Sequence, residues 1–106
     1  MNDIEKGFYE VIGRESKTKF RVFKLFKDYG ELNYIEVAEK IGIAESIASL
    51  YLNELEEYEF LKKTRHGYFT LNGRNLAHAV SNALSQKAAQ LSNQSLDLKL
   101  SAEAVS

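Results

Sequence analysis

A chain of 106 residues has room for one domain with a modest core, and a content of 44% hydrophobic and 27% charged residues excludes a mostly disordered protein. The absence of cysteine excludes disulfides, thiolate zinc sites and a cysteine nucleophile, and no apolar run approaches the ~20 residues needed to cross a bilayer. The net charge of −1 hides an uneven distribution: six basic residues from Arg14 to Lys27 stand against Glu15, nine acids from Asp28 to Phe60 against Lys40, and Lys62, Lys63, Arg65 and Arg74 follow with no acid among them.

Ile4, Phe8, Val11 and Ile12 recur at the spacing of an amphipathic helix, with Asn2 and Glu5 patterned as a capping box and Gly13 as its stop. A second helix is expected from about Ser16 to Gly30, burying Phe20, Val22, Phe23, Phe26 and Tyr29. Lys17, Arg21 and Lys24 share its polar face. Glu31–Asn33 is long enough for a brief strand, and Asn33 is placed to cap a third helix, Tyr34 to Ile41, with Ile35, Val37 and Ala38 available to the core. A fourth helix, Glu45 to Tyr58, repeats Ile47, Ala48, Tyr51, Leu52, Leu55 and Tyr58.

The period changes at Phe60. Phe60–Thr64 and Tyr68–Leu71 read as two strands joined at Arg65-His66-Gly67, where the glycine supplies a positive φ. Asn72 is the expected cap of a last helix, 73–91, with a stripe of Leu76, Val80, Ala83, Leu84 and Leu91. From Ser92 the composition turns to Ser, Asn and Gln. Leu96, Leu98 and Leu100 alternate as in a strand, but the composition favours a tail over 92–106.

Within this order Ala38, Gly42 and Ile43 have the properties of an elbow between crossed helices. Ala38 permits close crossing, Gly42 lets the backbone turn, and Ile43 fills the space beneath, while Ala48 and Leu52 return the next helix onto the first. The stretch YIEVAEKIGIAESIASLYLNELEEYEFLKKTRHGYFTLNGR resembles the winged helix-turn-helix of the ArsR and MarR families of regulators, and the resemblance runs from Phe20 to about Val80. It implies an α+β, mainly α, fold: a winged-helix DNA-binding domain over 1–91, with the helix-turn-helix at 34–58, the wing at 60–71 and flanking terminal helices.

The resemblance further implies that Glu45 to Asn53 form the recognition helix, its N-terminal half facing the major groove. By register Glu45, Ser46, Ser49, Leu50 and Asn53 are its outward positions. Lys62, Lys63, Arg65 and His66 fall on or beside the wing, and Lys17, Lys19 and Arg21 are candidates for flanking phosphates. One departure stands out: the recognition helix has no Lys or Arg and carries Glu45, Glu54, Glu56 and Glu57.

The last helix continues its small-residue stripe beyond what one small core needs. Ile4, Phe8, Val80, Ala83, Leu84, Ala88 and Leu91 are therefore candidates for a homodimer interface, which would set two recognition helices ~34 Å apart on repeated DNA, inverted or direct. His66 and His78, the two histidines, are too few for a metal-sensing cluster, and no catalytic constellation, cofactor motif or secretory h-region stands out. The expected protein is a cytoplasmic, non-enzymatic binder of double-stranded DNA with no membrane partner. The leading reading is a dimeric, sequence-specific transcriptional repressor, and the alternatives are a centromere-binding adaptor of plasmid or phage partition and a protein-interaction module using the acidic fourth helix.

Overall fold

The computed structural model describes residues 2–89. Its elements are α1 (Asp3–Ile12), α2 (Lys17–Asp28), β1 (Leu32–Asn33), α3 (Tyr34–Ile41), α4 (Glu45–Glu57), β2 (Leu61–Lys63) and β3 (Tyr68–Leu71). A further helix, α5, takes up residues 76–89. Leu91 and the expected tail at 92–106 lie outside the described residues. The three strands form an antiparallel sheet in the order β1-β3-β2. This is a winged helix, α+β and mainly α.

Local chemistry sets the helix ends. The Asn2 side chain accepts the Glu5 N–H at 2.8 Å at the start of α1. Asn33 and Glu36 form a full capping box on α3: the Glu36 N–H donates to Asn33 Oδ1 at 2.9 Å, and the Asn33 N–H donates to Glu36 Oε1 at 3.0 Å. Two of the orphan donors at that helix end are thereby satisfied. At the other end of α3, Gly42 takes φ 81°, and its N–H and that of Ile43 both donate to the Ala38 carbonyl, at 2.8 and 3.1 Å. An L side chain would be strained in this left-handed conformation, so glycine makes the elbow possible. Ala38 on α3 and Ala48 and Leu52 on α4 are all buried beneath the elbow.

The core draws on every helix. Phe8 of α1, Phe23 of α2 and Phe60 ahead of β2 meet with ring centroids 4.6–5.2 Å apart, tying the root of the wing to the N-terminal helices. α5 buries Leu76, Ala79, Val80 and Ala83. It lies so close to α1 that a Cβ on Gly7 would fall 2.7 Å from Val80 Cγ1. Lys87 Nζ donates to the Glu10 and Val11 carbonyls at 2.9 and 3.1 Å, satisfying acceptors at the C-terminal end of α1.

Several expectations are corrected. Tyr29, Ile35, Ile47 and Tyr58 are exposed, not buried. Tyr29 and Tyr58 are C-cap residues beyond the last turn of α2 and α4, and the Tyr29 ring is covered by the Lys40 ammonium, 4.1 Å from its centroid. Ile35 sits about 200° around α3 from the buried Val37, and Ile47 about 100° around α4 from Ala48. The cap of α5 is Asn75, whose Oδ1 accepts the His78 N–H at 2.8 Å. Asn72 serves the wing instead. Its N–H donates to the Phe60 carbonyl, its amide donates to that of Glu59, and its own carbonyl accepts from Asn82. It thus fastens the far end of the wing to α5.

Candidate nucleic-acid interface

The outward side of α4 is set by the burial of Ala48, Leu52 and Leu55 on its other side. Glu45, Ser46, Leu50 and Asn53 are exposed, and Ser49 is half-buried. Ser46, Leu50 and Asn53 follow one another at i, i+4 and i+7, so they line one face. Beside that face stands the hairpin of β2 and β3, turning through Arg65, His66 and Gly67. Between helix and hairpin lies an open groove of about 450 Å³, with Tyr34, Ser49 and Asn53 on the helical side and Lys63, Thr64, Arg65 and His66 on the wing.

Arg65 is the best-placed cation in the groove. Its Nε donates to Glu31 Oε1 at 3.1 Å, and its guanidinium carbon stands 4.0 Å from the Tyr68 ring centroid. The Thr64 hydroxyl donates to the same Glu31 oxygen. Nε is tied and one face lies against an aromatic ring, while among the described residues neither Nη group is engaged in a hydrogen bond or ion pair, which leaves both as donors. The Thr70 hydroxyl donates to the Gly30 carbonyl at 2.5 Å, a second stitch between the wing and the segment leading into β1. Glu31 lies 34 residues before Arg65, and no local pattern announces their contact.

The other sequence-level candidates fall into three groups. Lys62 and Lys63 are both exposed, but only Lys63 lines the groove, because adjacent strand residues point to opposite faces. Lys17 and Arg21 are exposed on α2, and Arg21 lines a separate cleft of about 390 Å³ with Lys24, Lys27 and Lys40. Lys40 belongs to α3, so this basic cleft was invisible to a helix-by-helix reading. Lys19 is a correction. It is 3% exposed, paired with Glu54 of α4, and its Nζ stands 5.4 Å from the Tyr51 ring centroid, so it clamps α4 onto α2 and is closed to phosphate.

The dimer candidates are corrected in part. Phe8, Val80 and Ala83 are buried within the chain's own core, and Phe8 has no exposed surface to offer a second chain. Ile4 and Leu84 are half-buried and Ala88 is exposed. Ile4, Ala77 and Leu84 border a shallow groove of about 200 Å³ between α1 and α5. Among the described residues no helix is long and apolar enough to cross a membrane.

No protein-family model matches this sequence, and no curated protein matches it. Solved structures do. RV1404 from Mycobacterium tuberculosis is 17% identical, with 86% of this chain and 68% of that chain covered at a TM-score of 0.56. Quinone-bound YodB from B. subtilis is 19% identical, with 89% of this chain and 99% of that chain covered at a TM-score of 0.53. At such identities the likeness is one of fold, and it agrees with the winged helix described above.

Proposed function

We propose that this chain binds double-stranded DNA sequence-specifically as a homodimer and acts as a transcriptional repressor, with binding and not catalysis as its activity. The observation that carries the reading is the groove that joins Ser49 and Asn53 of α4 to Lys63 and Arg65 of the wing. A protruding helix beside a cationic hairpin can enter the major groove while the hairpin follows the backbone or the adjoining minor groove. The α1–α5 groove edged by Ile4 and Leu84 supports a two-fold contact through the same helices. Repression asks only that the site be occupied.

The acidic stretch from Glu54 to Glu59, at the end of α4 and just beyond it, argues less for a protein-docking module than its composition suggests. Glu54 is engaged by Lys19, and a Glu59 oxygen lies 3.4 Å from the Asn72 amide, so two of these carboxylates are already employed inside the fold.

Fluorescence anisotropy with labelled duplexes, including DNA upstream of the gene, tests the proposal across a salt series. Arg65→Ala and Lys63→Ala are each expected to weaken binding several-fold and to lower the salt slope by about 1. Failure to bind any duplex at low salt would overturn it, and sedimentation of the free protein as a monomer at micromolar concentration would overturn the dimer.

A further inference from the structure

We infer that the DNA face of α4 reads A·T pairs, with Leu50 against thymine methyl groups and Asn53 on adenine. This rests on the DNA-binding reading above and adds the class of sequence recognised.

The commonest way to read guanine is a cationic fork on its O6 and N7 atoms in the major groove. The exposed residues of α4 are Glu45, Ser46, Ile47, Leu50, Asn53 and Glu57, and none is cationic. Lys19 does reach α4, but it is held beneath the helix by Glu54. Lys63 and Arg65 border the groove from the hairpin, a position suited to the backbone or the minor groove rather than to guanine's major-groove edge.

Two of these residues, Leu50 and Asn53, match an A·T pair, whereas Glu45 in the first turn complements the helix dipole. Leu50 is 51% exposed in the middle of the helix, between Ser46 and Asn53 on the same face. The described residues leave half of this aliphatic side chain uncovered, and the thymine C5 methyl is the apolar feature of the major groove that fits it. Asn53 carries one acceptor and one donor in the plane of its amide, the complement of adenine N6 and N7. The wing agrees independently. Arg65, tied through Nε to Glu31 and held against Tyr68, is 66% exposed with neither Nη group paired among the described residues, and an exposed guanidinium is favoured by the compressed, more negative minor groove of A·T tracts.

The test uses the full chain and three duplexes of equal length, built from alternating A·T, G·C or I·C pairs. An I·C pair has the minor groove of A·T and the major groove of G·C, so it separates reading by α4 from reading by the wing. A·T is expected to bind about tenfold or more tighter than G·C, with I·C in between. Replacing thymine by uracil removes only the methyl group and is expected to weaken binding about fourfold for each methyl contacted. Leu50→Ala, at an exposed position that leaves the core intact, is expected to bind thymine and uracil duplexes alike.

Equal affinity for A·T and G·C, or no response of the unsubstituted protein to uracil, would overturn this inference while leaving salt-dependent DNA binding in place. I·C bound as tightly as A·T would overturn the role given to α4. Absence of binding to all three duplexes would overturn the DNA-binding reading as well.

Discussion

Glu54→Gln should destabilise the protein more than Lys19→Met, although both remove the same ion pair. The asymmetry comes from burial: the Lys19 side chain is 4% exposed and that of Glu54 28%. Glu54→Gln leaves an ammonium enclosed by protein with only a neutral acceptor and the Tyr51 ring, 5.4 Å from its centroid, to stabilise it. Stranding a buried charge costs about 3–5 kcal/mol, and the surviving amide oxygen brings the expected loss down to about 2 kcal/mol. For a domain of this size that is a fall in Tm of about 10 °C. Lys19→Met strands the carboxylate that water can still reach and fills the site with apolar atoms, so its loss should stay within about 1 kcal/mol. The double variant should resemble Lys19→Met.

Urea denaturation followed by circular dichroism gives all four corners of this cycle. Lys19→Met as damaging as Glu54→Gln, or both indistinguishable from the parent, would refute the buried-charge argument. Because Lys19 is closed to solvent, Lys19→Met should also leave the salt slope of DNA binding unchanged.

Two further outcomes test the packing of α1. Tyr9 is 8% exposed, and burial, reinforced by its hydroxyl donating to Glu5 at 3.1 Å, pushes its pKa up from 10.0 to about 12. A pKa raised on folding means that the stabilisation by the neutral phenol is complete below pH 10 and is lost as pH climbs towards 12. Tyr9→Phe should therefore flatten the alkaline loss of stability in that window and remove the last component of an ultraviolet phenolate titration; a titration unchanged by the substitution would refute the assignment. Gly7→Ala places a methyl 2.7 Å from Val80 Cγ1 and should cost about 1–3 kcal/mol, mostly recovered by adding Val80→Ala. A thermal melt of Gly7→Ala that matches the parent would mean that α1 and α5 are not packed as closely as described.

Part of the candidate interface was readable at the level of single helices. Leu50, Ser46 and Asn53 share a face because helical spacing places them together, and the burial of Ala48, Leu52 and Leu55 opposite them follows from the same period. Lys19 was readable too, against its grouping with Lys17 and Arg21. It lies about 200° around α2 from both, and at i, i+4 and i+7 with the buried Phe23 and Phe26, so its charge had to find a partner inside. Asn72 and Asn75 both precede a helical stripe, and which one caps it depends on where β3 ends. Phe8, Val80 and Ala83 show the limit of stripe reading: an apolar face looks the same whether its own domain or a second copy covers it.

The amino-acid order alone determined the helices and their ends, because caps such as Asn33 with Glu36, the glycine at position 42 and the apolar periods all act between residues within about four positions of one another, while the resemblance to winged helix-turn-helix proteins implied how they assemble. Only the tertiary structure decided which charges are available. Glu31 meets Arg65 across 34 residues and aims it outward, while Glu54 takes Lys19 out of solvent. Strand pairing and helix crossing bring these partners together, and a charge has the same character in a sequence whether it ends up facing water or a carboxylate.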